Sequence, residues 1–158
     1  MIHFIADVHL GKLARILRLL GFSVYYRNNL EDAEIANLAS QGDLVVLSRD
    51  RELLKRRLIK KSLYITSTDP IVQTVQVISV LGLEDSIHPF TRCSLCGASL
   101  CHADKSAVYE ILPPSVRDKY DTFYQCSACG KLFWKGDHFR TMTRLFERLL
   151  DKGLHLPN

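Results

Sequence analysis

Ile2-His3-Phe4-Ile5-Ala6-Asp7-Val8 is followed, after His9, by Leu10-Gly11-Lys12-Leu13-Ala14-Arg15-Ile16-Leu17-Arg18-Leu19-Leu20 and then Gly21. The first stretch is a short apolar run and reads as a strand buried on both faces. The second has helical spacing, and Gly21 closes it. Together they make one β-α unit with an acid, Asp7, close to the strand's end. The unit recurs. Phe22–Tyr26 reads as a strand and Asp32–Ser40 as a helix stopped by Gln41-Gly42. Leu44–Ser48 reads as the most hydrophobic strand, followed by a basic helix over Arg51–Leu58. Leu63–Thr66 reads as a fourth strand, and Pro70–Leu81 as a helix ending at Gly82. Four β-α units in a row predict an α/β fold, a parallel sheet with helices on both faces.

Near Phe90 this rhythm stops. Two knuckles appear, Cys93-Ser-Leu-Cys96-Gly97 and Cys126-Ser-Ala-Cys129-Gly130. Each turn brings two thiolates to one side, and the glycine after it lets the backbone take a positive φ. Together they offer the four-sulfur set that structural zinc prefers. The 29 residues from 97 to 125 exceed the usual finger spacing, so the reading is a zinc ribbon with a long insert. That insert holds a short helix and a turn fixed by Pro113-Pro114. A short strand and turn follow Cys129. Asp137 reads as the N-cap of a last helix, with Met142, Leu145, Phe146, Leu149 and Leu150 at helical spacing. No linker marks the change, so this helix is expected to pack back on the α/β body. The boundary falls at 89/90.

At 158 residues and 47% hydrophobic the chain can bury a real core. It has no apolar run of membrane-spanning length, and no signal peptide is expected. Four of five cysteines in metal spacing fit a reducing cytoplasm better than a disulfide framework. Cys101 is left over and reads as a small buried apolar residue. The net charge, +4, is modest. Its clustering from Arg49 to Lys61 reads as a solvated helix face or a polyanion footprint.

In a parallel sheet every strand's C-terminal end opens on one edge. Asp7 and Asp50 therefore meet at one rim. Asp32 and Glu34 open the helix that starts beside it. Acids so close hold a cation between them, and hard oxygen donors suit magnesium or manganese. Each has a plainer reading: Asp32 and Glu34 favour a helix dipole, and Asp50 caps the next helix. Asp7, ending a buried strand, needs a partner in any case. Lys12, Arg15 and Arg18 recur along the first helix, and Arg49 and Arg51 flank Asp50. An acidic notch bordered by cations has the parts needed to hold and cleave a nucleic-acid backbone. Arg140, Arg144 and Arg148 read as a solvated face of the last helix.

Asp7 with Leu10-Gly11-Lys12-Leu13-Ala14-Arg15 and Leu17-Arg18-Leu19-Leu20-Gly21 resembles the opening motif of a PIN-like nuclease family, the one named after the C-terminal domain of the mut-seven exonuclease. Asp32-Ala33-Glu34-Ile35-Ala36 and Leu47-Ser48-Arg49-Asp50 look like its next blocks. Phe90-Thr91-Arg92-Cys93, Pro113-Pro114, Cys126 to Lys131 and Trp134-Lys135-Gly136-x-His138 look like its zinc-ribbon blocks in order. The resemblance implies a PIN-like nuclease domain over 1–89 and a ribbon with C-terminal helix over 90–158. It also implies a metal-dependent ribonuclease in which Asp7 and Asp50 bind metal and Asp32 or Glu34 completes the set. One departure matters: the further acid usual in PIN nucleases has only Glu52 as a candidate. Trp134 reads as a plug between ribbon and helix rather than a base-stacking platform, and His138 as bonding locally. The alternative is an RNA- or ribosome-associated binding protein with weak or no cleavage. Asp7 as a phosphoacceptor ranks last, since position 9 is His9 and no lysine sits in the fourth strand.

Overall fold

Strand β1 (His3–Ala6) takes an inner place in the first sheet because Phe4, Ile5 and Ala6 all need cover. β2 (Ser23–Tyr25) and β3 (Leu44–Ser48) flank it, and β4 (Ser62–Tyr64) pairs with β3. All pairings are parallel, in the order β2-β1-β3-β4. The computed structural model describes residues 2–134 and 136–154, with the side chains of 137–142 outside that description.

Alternation along the strands divides the apolar residues between two cores. Phe4, Ala6, Val45 and Leu47 face helices α1 (Gly11–Leu19) and α4 (Pro70–Leu81). Ile5 and Val46 face α2 (Asp32–Gln41) and α3 (Arg51–Leu54). A single 3-10 turn, Val8–Leu10, leads into α1. Gly21 ends that helical segment at φ 98°, and a Cβ there would lie 2.3 Å from the His88 carbonyl oxygen. α4 has both of its expected bounds. Asp69 accepts from the amides of Ile71 and Val72, Pro70 sits at the first turn, and Gly82 is left-handed.

The basic helix expected over Arg51–Leu58 is a single turn, Arg51–Leu54. Leu53 is its one buried residue, and the cations after it give no apolar face to bury. The chain instead crosses back to start β4. The charge run therefore straddles the sheet: Arg49 and Arg51 follow β3 at its C-terminal edge, whereas Lys61 pairs with Asp43 at the opposite edge.

The second sheet is antiparallel, in the order β5 (Leu100–Ala103), β6 (Phe123–Cys126), β7 (Leu132–Trp134). Its long insert forms two single turns, α5 (Lys105–Val108) and α6 (Pro114–Arg117). Their Val108 and Val116 close a small core on Phe123. The last helix, α7 (Asp137–Asp151), starts after Gly136. The expected cap Asp137, with His138, Arg140 and Met142, lies outside the described side chains. Leu149 and, beyond the helix, Leu154 are buried in the same core as Phe4. Leu150, expected on that face, is exposed.

Candidate active-site rim and metal cluster

Asp7 lies one residue past β1, and its amide donates to the Leu47 carbonyl at 3.1 Å, so it stays in register with β3. It is 5% exposed, and Ser48, which ends β3, is fully buried. The Ser48 hydroxyl donates to Asp7 Oδ2 at 2.7 Å and accepts from the Asp50 amide at 2.9 Å. One hydroxyl thus serves both acids' segments, and the buried Asp7 carboxylate takes this serine on Oδ2 and the more distant His9 amide, at 3.5 Å, on Oδ1. Asp50 is exposed. Its Oδ1 accepts from the amides of Glu52 (2.8 Å) and Leu53 (3.4 Å), so it caps α3.

Asp32 and Glu34 open α2 and are both ion-paired: Asp32 lies 3.5 Å from Arg56, and Glu34 pairs with Arg27. Glu52 pairs with Lys55 at 2.6 Å. Among the described residues no three carboxylates gather. Among the described residues the four knuckle cysteines are the one set of three or more potential ligands within metal-binding reach of one another.

In that set all four sulfurs lie within 4.8 Å of each other. Cys93 and Cys129 are 3.7 Å apart, Cys96 and Cys126 3.4 Å. A tetrahedron with metal–sulfur bonds of about 2.3 Å has edges of about 3.8 Å, so the set fits a four-sulfur ion. The knuckle geometry comes from the backbone. The Gly97 amide donates to the Cys93 carbonyl at 2.8 Å and the Gly130 amide to the Cys126 carbonyl at 3.1 Å, with both glycines at positive φ. Cys96 is exposed as a residue, but its sulfur sits in the cluster. Desolvation there pushes its thiol up to about 12, against the Ala98 amide and helped by the other three sulfurs. Burial also raises Cys126, but the amides of Cys129 and Ala128 and the thiols of Cys96 and Cys129 bring it down to about 6. The amides of Cys129 and Ala128 thereby favour thiolate within the set, the form a metal ligand needs. Cys101 lies outside the set and is exposed on β5, not buried.

The model of the Mut7-C RNAse domain matches residues 2–146. The chain belongs to the Mut7-C RNAse domain family. No curated protein and no solved structure matches it. The Mut7-C match runs through both sheets and into α7, so it spans Asp7, Asp50 and the four knuckle cysteines alike.

Within this Mut7-C domain the cations expected to meet nucleic acid part company. Arg49 and Arg51 are exposed beside Asp50, and the Arg51 guanidinium lies 4.5 Å over the Tyr64 ring. Lys12 and Arg15 are exposed on α1. Arg18 is not on the surface: it is 4% exposed. Its Nε and Nη2 donate to the Val24 carbonyl at 3.1 and 2.9 Å, and Nη1 to the Leu95 carbonyl at 2.6 Å. Burial holds its pKa below the ordinary arginine value, while Cys96 and Cys93 pull the other way. A guanidinium so engaged braces the first knuckle to β2 and is withdrawn from phosphate.

A groove of about 890 Å³ runs between α1, the ribbon and α7. Lys12 and Arg15 line it, and so do Arg144 and Arg148, which the sequence assigned to a separate solvated face. Trp134 is half-buried: it packs on the ribbon's small core and also lines the groove. Ser48 escaped the sequence reading too. Its one signal was a hydroxyl at the end of an apolar strand, two residues before an acid.

Proposed function

We propose that this chain is a divalent-metal-dependent ribonuclease, with Asp7 and Asp50 holding magnesium or manganese at the sheet's C-terminal edge. The observation that carries the reading is the Ser48 hydroxyl, bonded at once to the Asp7 carboxylate and the Asp50 amide. A buried acid and an exposed acid, tied through one residue at a strand edge, suit an ion that keeps several waters and takes one or two carboxylates. When bound, such an ion would activate water and offset charge on the phosphodiester. Ser48 fixes Asp7 so that it need not reorganise. Arg49 and Arg51 would hold phosphates next to Asp50, and Lys12 and Arg15 would hold the strand nearby. Asp32 or Glu34 would join the site only by leaving its arginine.

The cysteine set would hold one structural zinc, which fits its sulfur spacing and the closed four-thiolate form of such sites. Residues 1–89 would be the nuclease part and 90–158 the ribbon with its helix. Five cysteines with no disulfide among them suit a reducing cytoplasm.

The test is cleavage of a labelled RNA with manganese, wild type against Asp7→Asn. Metal-dependent cleavage that Asp7→Asn lowers at least a hundredfold supports the reading. Equal rates in the two proteins would refute it. One observation favours a second reading, an RNA-binding protein with weak cleavage: Asp32 and Glu34 are ion-paired, and among the described residues no set of three acids lies within metal-binding reach. RNA binding without any cleavage would support that one.

A further inference from the structure

The groove between α1, the ribbon and α7 has a composition that the catalytic rim does not explain. Lys12 and Arg15 come from α1, Lys131 from the turn before β7, and Arg144 and Arg148 from α7. All five are exposed, and none is ion-paired among the described residues. The acid that lines the groove, Asp69, is already engaged as the N-cap of α4. Trp134, half-buried, lines the same wall. Five exposed cations, gathered from sequence positions 12 to 148 around an aromatic wall, repel one another. In isolation they only cost stability, so a polyanion is the natural occupant.

Two features choose among polyanions. An aromatic side chain in a cationic channel stacks on unpaired bases, whose faces a duplex hides. Acidic protein surface has no use for such a platform. Position supplies the second argument. Lys12 lies in the first turn of α1 and Asp69–Pro70 at the start of α4, so this end of the groove meets the sheet's C-terminal edge, where Asp7 and Ser48 sit. From there the groove runs toward the ribbon.

We infer that this groove is the binding track for single-stranded RNA, built jointly by the ribbon, α1 and α7, and that it delivers the strand to the acidic edge. The ribbon and last helix are then substrate-binding parts as well as structural ones. The destination of the strand rests on the ribonuclease reading above; the track itself does not.

The test uses the full-length, zinc-loaded chain in the Asp7→Asn background and a fluorescent ten-nucleotide oligouridylate, read by anisotropy. Arg144→Glu/Arg148→Glu should weaken binding at least tenfold. Lys60→Glu/Lys61→Glu makes the same change in net charge at the opposite sheet edge and should leave binding within about twofold. In the groove variant the salt slope should flatten by roughly 1.4, since two arginines no longer neutralise phosphates of a single strand. Circular dichroism and zinc content establish that both variants are folded, and Lys131→Glu provides an independent reversal on the ribbon wall. Equal loss in the groove and the control variants would overturn the inference. So would tighter binding of duplex RNA than of the single strand, or displacement of the oligonucleotide by polyglutamate at equal charge. In the Asp7 parent, cleavage that persists while groove variants bind normally removes the track and keeps the nuclease. Groove variants that lose binding when Asp7→Asn cleaves like its parent keep the track and remove the nuclease site.

Discussion

Ser48 has one hydroxyl and two duties, so its removal tests the rim at its smallest scale. Ser48→Ala leaves Asp7 Oδ2 and the Asp50 amide without their partner. The expected loss is about 1–3 kcal/mol of stability, the cost of unsatisfied buried polar groups. RNA cleavage should fall at least tenfold, more than the stability loss alone would cause at 25 °C, because Asp7 is no longer fixed. Urea denaturation and initial rates measure the two effects. Arg18 poses a different case. Arg18→Met keeps the length of the side chain but abandons the carbonyls of Val24 and Leu95. Hydrogen bonds to a charged group contribute about 1.5–3 kcal/mol each, offset here by the desolvation a buried guanidinium requires. A net loss of about 2–4 kcal/mol is expected, with zinc retained less tightly, as a competing chromogenic chelator would report. At this scale the sequence showed where the acids fall, because position after a strand is visible in the order of residues. It did not show what each acid touches. Arg18 looked like its neighbours Lys12 and Arg15, since a spacing of three along a helix turns a residue partly toward the core.

At the scale of elements, the two glycines that close α1 and α4 make a matched pair. Both have positive φ, but a Cβ at Gly21 would meet the His88 carbonyl oxygen at 2.3 Å, while Gly82 faces open space. Gly82→Ala should cost about 1–2 kcal/mol, the conformational term alone. Gly21→Ala adds a backbone clash at the join of body and ribbon, and a loss of at least about 3 kcal/mol is expected. Thermal melts of the two variants would rank them. α4 was legible in full because Pro70 and Gly82 punctuate it. α3 was not, because a run of cations carries no apolar period from which to read a length. The groove was invisible for a geometric reason: Lys12, Lys131 and Arg148 come from three elements whose meeting depends on the packing of two sheets and a helix.

For the whole molecule the question is how far the ribbon is a separable part. An unfolded chain has no preformed sulfur site, so with the proposed zinc in place metal binding and ribbon folding would be one equilibrium. Removing the ion with a chelator should unfold β5–β7 and lower the body's melting temperature through Arg18, which bonds into the first knuckle. Acid should do the same, since protons compete with the ion for sulfur. Leu149→Ala should cost about 2–5 kcal/mol although it lies nine residues from the chain's end, because it is fully buried in the main core. That burial has a consequence for biosynthesis. Synthesis runs from the N-terminus at about 5–20 residues per second, and the strands carrying Asp7 and Ser48 emerge long before Leu149 and Leu154. A nascent chain that has passed residue 100 thus holds the parallel sheet under α1 to α4, while the part of the main core that Leu149 and Leu154 close stays open beside α4. Ribosome-bound chains arrested with residue 100 exposed and residue 149 still enclosed should be cut more readily by protease in α4 than chains arrested with residue 154 exposed. Emergence of Leu154 should end that sensitivity.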